Sequence, residues 1–385
     1  MNIVAVIGNG ASIPYNPRLA LTPLTQEILS RFASQRIQAG DVQRTLSSLA
    51  RAASPTGVGE DLSFEGLMGP IERIAQGLEA IRELARFVPE GENQRKRLKK
   101  VATFGRTLTR RAVGTTLQLV TELSSHEGED AWDRGSALIT SLADMTKPDG
   151  VLRVFSLNYD NLGDSALLRY EETHQGTGLS DMAWGGGGSR IQVFSDETRA
   201  DFSAHPLRQD EEYLSPSNNH HLVLYHLHGS ISWVRDGAGT SWKLSSTNRL
   251  RTDQLWSAYA KGETQIEPVV VLADQKAPRI ARDPFEWAYR RLTRAVAKMD
   301  PDLIVIAGYG FGDDPLNRVL ADALPDSTCP VVIITQTDDE LRFMRRTLRT
   351  LPFSGAATRA SVQNRTLVLG DGLPGAMSRS EWEHL

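Results

Sequence analysis

The first strand pattern of the chain runs into a glycine loop and reads Ile3-Val4-Ala5-Val6-Ile7-Gly8-Asn9-Gly10-Ala11-Ser12. Its continuous apolar half is typical of a parallel strand that is covered on both faces. A helix pattern follows from about Thr25, so the order is strand, glycine loop and helix. This order is typical of nucleotide sites, because glycines let backbone N–H groups approach a phosphate and a helix N-terminus adds partial positive charge.

The glycine loop departs from two familiar phosphate-binding motifs. Ile13 stands where G-x-G-x-x-G has its third glycine, and no Lys-Ser or Lys-Thr pair follows, which excludes a P-loop. A tight turn without a ligand therefore stays an alternative for this loop.

Composition and charge are those of a soluble globular protein. The chain has 385 residues, 40% of them hydrophobic and 23% charged, and a net charge of -4. That charge argues against a whole-protein electrostatic grip on nucleic acid. The single cysteine, Cys329, excludes an intrachain disulfide and a zinc site built on several cysteines. Because no basic leader or apolar run long enough for a membrane span is seen, we expect a cytoplasmic protein without a membrane partner.

A long helical insertion is predicted between the first strand and the second. Apolar residues recur at intervals of three and four in three stretches, each typical of one helix face. The three sets are Phe64, Leu67, Ile71, Ile74, Leu78 and Ile81; Leu98, Val101, Phe104, Leu108 and Ala112; and Trp132, Leu138, Ile139, Leu142 and Met145. We therefore predict a helical subdomain over residues 31–147, inserted into a catalytic domain formed by residues 1–30 and 148–385.

The second helix of the insertion is strongly basic. Its cations are Arg95, Lys96, Arg97, Lys99, Lys100, Arg106, Arg110 and Arg111. A solvated helix face explains them, and a partner surface or a nucleic-acid contact is the alternative. Nucleic acid is thus at most an indirect partner.

Three more apolar strand patterns end in polar or glycine-rich segments. Residues 151–157 precede Asn158-Tyr159-Asp160-Asn161, and residues 222–224 precede Tyr225-His226-Leu227-His228-Gly229-Ser230. Residues 303–307 precede Gly308-Tyr309-Gly310-Phe311-Gly312-Asp313, with Asn317 in the helix that follows. Strands that alternate with helices predict an α/β fold with a doubly wound, mostly parallel, Rossmann-like sheet. Residues 231–244 add a smaller β-hairpin insertion with a glycine-containing loop.

Four strand ends with this chemistry point to one site. In a parallel sheet they lie along the same carboxyl edge, where α/β proteins bind ligands. Each segment alone is explained by a turn, a helix cap or a buried histidine, but their joint occurrence favours a site with two phosphate-type loops, an amide and an imidazole. His226 and His228 are two residues apart in a strand pattern, so we expect both side chains to point to the same face of the strand. No carboxylate or thiolate lies at a familiar spacing from them, so no metal site is predicted.

The motifs together resemble the sirtuins. Gly8-Asn9-Gly10-Ala11-Ser12 is similar to their G-A-G-x-S loop, Asn158-Tyr159-Asp160 to their N-x-D motif, and Leu227-His228-Gly229-Ser230 to their L-H-G-S motif. The late loop 308–313 with Asn317, and Ser63-Phe64-Glu65, resemble the sirtuin-like NAD hydrolases of prokaryotic anti-phage defence. The resemblance covers most of the chain, although the insertion matches only in helical character.

The resemblance implies a site for NAD+ as substrate, with His228 and Asn158 as catalytic residues. It assigns phosphate binding to Gly8, Asn9, Gly10, Ala11 and Ser12, and further NAD+ contacts to Asp160, Gly308, Tyr309, Gly310, Phe311, Asp313 and Asn317. The expected reaction is cleavage of the nicotinamide–ribose bond. His228 would accept a proton, and Asn158 would hold the ribose or place the water.

Two departures bear on what the resemblance implies. Deacetylase sirtuins carry a four-cysteine zinc ribbon that one cysteine cannot build, so deacetylation is not expected. The length is similar to that of the sirtuin-like subunits that assemble with a HerA-type ATPase, which implies control by homo-oligomerisation or by such a partner. Alternatives are a regulatory or scaffold subunit that binds NAD+ or ADP-ribose without turnover, and an ADP-ribosyltransferase.

Overall fold

The structure is a computed structural model that describes residues 1–32, 39–53, 64–87, 91–125, 128–146, 149–174, 178–183, 188–196, 201–208, 222–245, 249–272 and 276–373. Ser63 and the side chains of Phe64 and Glu65 lie outside the described part of the chain.

A seven-stranded parallel sheet forms the centre of the fold. Its strands, in spatial order, are β12 (Thr366–Leu369), β11 (Val331–Ile334), β10 (Leu303–Ala307), β1 (Ile3–Ile7), β2 (Leu152–Ser156), β6 (Leu222–His226) and β3 (Leu179–Asp181). Every neighbouring pair is parallel. The chain leaves β1 towards β2 on one side and returns to β10 on the other, so the β1–β10 junction is the point where strand order reverses.

The sheet is buried on both faces, which explains the continuous apolar strand patterns. Val4 and Val6 face the layer that contains α9 (Phe285–Ala297) and α10 (Asp314–Ala323). Ile3, Ala5 and Ile7 face the opposite layer, which contains α5 (Glu129–Met145) and α6 (Leu162–Thr173). The predicted α/β class with a mostly parallel Rossmann-like sheet is confirmed.

The remaining helices of the described chain complete the two layers and the insertion. They are α1 (Leu21–Phe32), α2 (Ala39–Ala53), α3 (Phe64–Leu84), α4 (Gly91–Leu123), α7 (Arg249–Lys261), α8 (Lys276–Ile280), α11 (Glu340–Thr350) and α12 (Ala356–Gln363).

A second sheet is larger than the predicted hairpin. Its five antiparallel strands, in spatial order, are β4 (Ser189–Ile191), β5 (Phe202–Pro206), β8 (Ser241–Leu244), β7 (Gly229–Arg235) and β9 (Glu267–Val270). The hairpin of β7 and β8 is present, with Val234 opposite Trp242. Strand β7 begins three residues after β6 ends, so the second sheet grows directly out of the edge at which the candidate site lies.

The helical region between β1 and β2 begins earlier than predicted. Helix α1 starts at Leu21, crosses the predicted boundary at residue 31, and packs against α2 and α4. Helices α3 and α4 pack side by side, and a Cβ on Gly105 of α4 would lie 2.9 Å from the Ala75 side chain of α3. The domain boundaries stay a prediction.

The basic helix α4 is buried more extensively in its second half than in its first. Leu117 and Leu119 are fully buried, whereas Val101 is 52% and Phe104 is 68% exposed. Within the first half, Arg95 and Lys96 pair with Glu92, and Arg106 pairs with Glu79 of α3. Part of the cationic surface is therefore neutralised by neighbouring carboxylates.

The single cysteine, Cys329, is buried. Its Sγ lies 3.1 Å from Ser327 Oγ, and burial raises the pKa of its thiol. Among the described helices, none combines the length and the apolar character needed to cross a membrane.

Candidate active site

The four segments singled out from the sequence meet at one edge of the parallel sheet, as predicted. They follow the adjacent strands β10, β1, β2 and β6, whose carboxyl ends point the same way. The edge carries a concentration of buried polar side chains, which includes Ser12, Asn158, Asp160, His228, Asp313 and Asn317. These polar groups fall into two clusters, one around Asn158 and one around His228.

The two glycine loops pack directly against each other. The N–H of Gly10 donates to the carbonyl oxygen of Gly308 at 2.9 Å. A Cβ on Gly8 would lie 2.6 Å from that oxygen, and Gly308 itself has φ +62. Only glycine permits both the backbone approach and this conformation. Asn9 donates to the carbonyl oxygen of Leu19 at 2.9 Å and so orders the segment that leads to α1.

The first polar cluster joins the loop after β1 to the loop after β2. Ser12 donates its hydroxyl proton to Asp160 Oδ2 at 2.7 Å, and Asn158 Nδ2 donates to Ser12 Oγ at 2.9 Å. The backbone N–H of Leu162 donates to Asp160 Oδ1, so Asp160 also caps the start of α6. Burial raises the pKa of the Asp160 carboxyl, although the hydrogen bonds from Ser12 and Leu162 oppose that shift.

The orientation of the Asn158 amide follows from this network. The only proton of Ser12 Oγ goes to Asp160, so Ser12 accepts from Asn158 and fixes the position of Nδ2. Asn158 Oδ1 is then a buried acceptor without a hydrogen-bond partner among the described residues. A cavity of about 20 Å³ lies beside it, lined by Ser12, Ser156 and Asp160 among others. That volume suits one water molecule.

The second polar cluster surrounds His228, which is 3% exposed. Its Nε2 lies 3.1 Å from the hydroxyl of Tyr289 on α9 and 3.3 Å from Asp313 Oδ2 at the start of α10. Lys276 Nζ lies 2.9 Å from the same carboxylate oxygen. The ring of Tyr159 stacks near the imidazole, with 6.4 Å between centroids. Since Tyr159 lies between Asn158 and Asp160 in the chain, it connects the two clusters.

Two neighbours of His228 have pKa values that are shifted from their ordinary ranges. Burial raises the pKa of Asp313, but the nearby His228 imidazole, the Lys276 cation and the backbone N–H of Leu316 together outweigh burial and hold that pKa well below its ordinary value of 3.8. Burial and the Asp313 charge raise the pKa of Tyr289 well above its ordinary value of 10.0. At neutral pH the imidazole therefore faces an ionised carboxylate and a neutral phenol.

The loop after β10 is held by its own side chains. Asn317 Nδ2 donates to the carbonyl oxygen of Phe311, and the Tyr309 hydroxyl donates to Asn317 Oδ1, both at 2.9 Å. Phe311 has φ +55, a conformation that few side chains adopt. Gly310 is exposed, and a Cβ added to it would have no atom within 4 Å. Asn317 and Tyr309 thus order the loop, and Gly310 and Gly312 are its exposed positions.

His226 does not share a face with His228, so that prediction is wrong. His226 Nε2 lies 2.9 Å from Asp164 Oδ2 on α6, in the layer opposite to α9 and α10. The alternation fails because β6 ends at His226, and the chain then bends through Leu227 and His228 into β7, where Gly229 has φ +81. The two histidines therefore belong to different clusters.

Asp164 and His226 form a buried ionic network with Lys243. Lys243 of β8 bonds to Asp164 and, at 2.5 Å, to Asp181 Oδ2 of β3, which ties the antiparallel sheet to the parallel one. Burial raises the pKa of Asp164, but the charges of Lys243 and His226 outweigh burial and hold it well below its ordinary value of 3.8. Among the described residues, no group of three His, Cys, Asp or Glu side chains is placed to hold a metal ion.

Sequence reasoning missed Tyr289, Lys276 and the Asp164–Lys243 pair. Tyr289 follows Phe285 by four residues and so lies on the same, apolar face of α9, where a phenol is a recognisable polar addition. Lys276 and Lys243 carry no local signal, since their partners lie far away in the chain.

Comparison with known proteins agrees with this architecture. A family model, the SIR2-like domain, matches residues 152–351, which is just over half of the chain. No curated protein matches the sequence. The matched region includes Asn158, Asp160, His228, Asp313 and Asn317, and SIR2-like domains bind NAD+. The chain belongs to the SIR2-like domain family.

Proposed function

We propose that this protein hydrolyses the nicotinamide–ribose bond of NAD+, giving nicotinamide, ADP-ribose and a proton. Nicotinamide carries a positive charge while it is bonded to the ribose, so it is a good leaving group without protonation. The residues have three tasks: they hold the dinucleotide, place a water molecule, and accept the proton that this water loses.

The observation that carries the proposal is the buried Oδ1 of Asn158, which has no hydrogen-bond partner within the described part of the chain. A buried acceptor without a donor is costly, and such groups in native proteins call for an explanation. A ribose hydroxyl or the attacking water supplies the missing donor. The amide cannot rotate to hide its oxygen, because Ser12 holds Nδ2 in place. The site is therefore set to accept a hydrogen bond beside the Gly8–Ser12 loop.

His228 supplies the second group that hydrolysis needs. It follows β6, the neighbour of the strand that leads to Asn158, and its ring is held beside that of Tyr159. An imidazole accepts a proton near neutral pH, which contributes roughly 10²–10⁴-fold to the rate of such reactions. The glycine loops after β1 and β10 would contact the phosphates and the adenosine side.

The test is incubation of the purified protein with NAD+ and measurement of nicotinamide by chromatography. We expect His228→Ala and Asn158→Ala each to abolish nicotinamide release while the circular dichroism spectrum stays unchanged. His174→Ala and Asn364→Ala are matched controls, because both residues lie away from the sheet edge, after α6 and after α12. Wild-type release by either site variant would refute the assignment.

Two other functions are outcomes of the same test. Binding of NAD+ or ADP-ribose by calorimetry without any product would identify a regulatory or scaffold subunit. Radiolabel from NAD+ that becomes covalently attached to a macromolecule would identify an ADP-ribosyltransferase. A carboxylate, an imidazole and an amide in one buried site favour turnover, since binding alone does not require a proton acceptor.

We further propose that NAD+ depletion is the biological output, as in anti-phage defence, and that homo-oligomerisation or a HerA-type ATPase partner controls it. The support is the sequence resemblance together with the burial of Asn158 and His228, which are 6% and 3% exposed. A site this closed needs a change of state before a dinucleotide enters. Nicotinamide release should therefore be measured for the isolated chain and for the assembled form.

A further inference from the structure

We propose that Asp313 is a positioning residue for His228, which holds the imidazole as the Nε2–H tautomer and leaves Nδ1 as the atom that accepts the proton. The tautomer assignment stands on the geometry of the cluster alone. Its catalytic consequence rests on the proposed NAD+ hydrolysis. This role differs from the direct NAD+ contact that the sequence resemblance implies for Asp313.

The position of the carboxylate decides which nitrogen carries the proton. Asp313 Oδ2 lies 3.3 Å from His228 Nε2, and an ionised carboxylate only accepts hydrogen bonds. A lone pair on Nε2 would face the lone pairs of this oxygen, which is repulsive. A proton on Nε2 instead places its partial positive charge beside the carboxylate, an attractive contact at 3.3 Å even though Oδ2 lies outside hydrogen-bond geometry. The neutral ring then carries its lone pair on Nδ1, which makes no hydrogen bond with any residue in the described part of the chain.

The groups around the imidazole agree with this proton position. Lys276 lies 2.9 Å from Asp313 Oδ2, so a cation keeps the carboxylate ionised. Oδ1 of Asp313 accepts from the N–H of Leu316 at 2.9 Å, which caps α10 and fixes the carboxylate plane. Tyr289 stays a neutral phenol, and its oxygen, 3.1 Å from Nε2, accepts the hydrogen bond that the Nε2–H donates. Tyr159 contributes only its ring face.

The cluster is therefore arranged on one side of the ring only. Asp313, Tyr289 and Lys276 come from α10, α9 and α8, all on the Nε2 side of the imidazole. In such an arrangement, a carboxylate orients a catalytic histidine from the side of one ring nitrogen and leaves the other nitrogen free to accept a proton. The free nitrogen is then available to a ribose hydroxyl or to a water molecule.

The experiment begins with nitrogen-15 NMR of histidine-labelled protein at about pH 8, where an unperturbed imidazole is neutral. The sequence has 8 histidines, and His228→Gln identifies the His228 signal by its loss. We expect a protonated Nε2 and a pyridine-like Nδ1 in the wild type. Asp313→Asn keeps an acceptor for the Leu316 N–H and removes the charge. In this variant we expect a mixture of tautomers or the Nδ1–H form.

Kinetics then separate positioning from substrate binding. In the assembled enzyme, Asp313→Asn should lower kcat by about 100-fold or more and change KM by less than about 3-fold. Asp313→Glu should recover part of the rate, because it restores the carboxylate. Asp314→Asn is the matched control, since Asp314 is the exposed neighbour in the first turn of α10 and this change removes the same charge. It should leave both the tautomer and the rate unchanged.

Two results would overturn the proposal. One is an Nδ1–H tautomer in the wild type, or an Nε2–H tautomer that persists in Asp313→Asn. The other is an increase in KM with unchanged kcat, which would make Asp313 a binding residue for NAD+. If the tautomer responds as expected but no assembled form releases nicotinamide, the positioning role stands and the proposed hydrolysis fails. The two proposals are thus tested by different measurements.

Discussion

Gly8 and Gly308 approach so closely that a Cβ on Gly8 would lie 2.6 Å from the Gly308 carbonyl oxygen and 2.8 Å from the Tyr309 Cα. The two residues are far apart in the chain, and they meet where β1 and β10 lie side by side. The contact is between backbones, so no side-chain rotation relieves an added methyl group. The two loops therefore move, if at all, as one unit.

The first prediction follows from this contact. Gly8→Ala should lower the free energy of unfolding by about 2–3 kcal/mol, because the backbone of one loop must shift to make room. Gly312→Ala is the control, since Gly312 has no atom within 4 Å of an added Cβ. We expect the control to range from no change to a gain of about 1 kcal/mol. Urea unfolding measures both, and equal midpoints would contradict the prediction.

The second prediction concerns the ionic network between the two sheets. Lys243→Met should cost about 3–5 kcal/mol, because it leaves the buried Asp164 and the half-buried Asp181 without their cation. Lys261→Met, at the exposed C-terminal end of α7, should stay within about 0.5 kcal/mol of the wild type. Thermal and urea unfolding of both variants provide the comparison. A Lys243→Met protein as stable as the control would show that the network does not hold the sheets together.

The third prediction is the acid dependence of stability. The folded pKa of Asp164 lies below its ordinary value of 3.8, so the unfolded chain takes up protons first as the pH falls. The stabilisation is thus fully present above about pH 4 and is lost progressively as the pH falls below it, by roughly 1–3 kcal/mol. In Lys243→Met the loss should be smaller, because the main cause of the low pKa is gone. Urea midpoints between about pH 5 and pH 2.5 test this, and parallel curves would refute it.

The fourth prediction concerns the loop after β10. Asn317→Ala removes the donor to the Phe311 carbonyl oxygen and the acceptor for the Tyr309 hydroxyl. We expect a loss of about 1–3 kcal/mol, since the Phe311 carbonyl oxygen loses its side-chain donor and the Tyr309 hydroxyl keeps only its bonds with the Asp313 backbone. Asn364→Ala, which changes an exposed asparagine after α12, should be close to neutral. If Asn317→Ala keeps wild-type stability, water replaces the side chain and the loop does not depend on it.

The parallel sheet could be predicted because its strands are buried on both faces. Each of β1, β2 and β10 appears in the sequence as a largely apolar run, and the observed bounds of β2 differ from residues 151–157 by one residue at each end. The common edge of the site then followed from the parallel direction of these strands. Burial on two sides is thus the property that made the fold predictable.

The antiparallel sheet was harder to predict for the opposite reason. Strand β4 has only three residues, two of them exposed, and pairs with β5 rather than with a neighbour in a clear hairpin. Likewise, the side of the sheet that His228 occupies depends on where β6 ends, which a two-residue alternation cannot show. The mutual packing of Gly8 and Gly308 depends on residues far apart in the chain, so neither loop alone indicated that contact.

The buried thiol of Cys329 makes it practical to label this protein at one chosen site. It is the only cysteine in the sequence, it is 8% exposed, and burial raises the pKa of its thiol, so maleimide labelling of the folded wild type should be slow. A cysteine placed at the exposed Gly312 would then be the single fast-reacting position. A fluorophore attached there would report the opening of the loop in real time, without any measurement of nicotinamide.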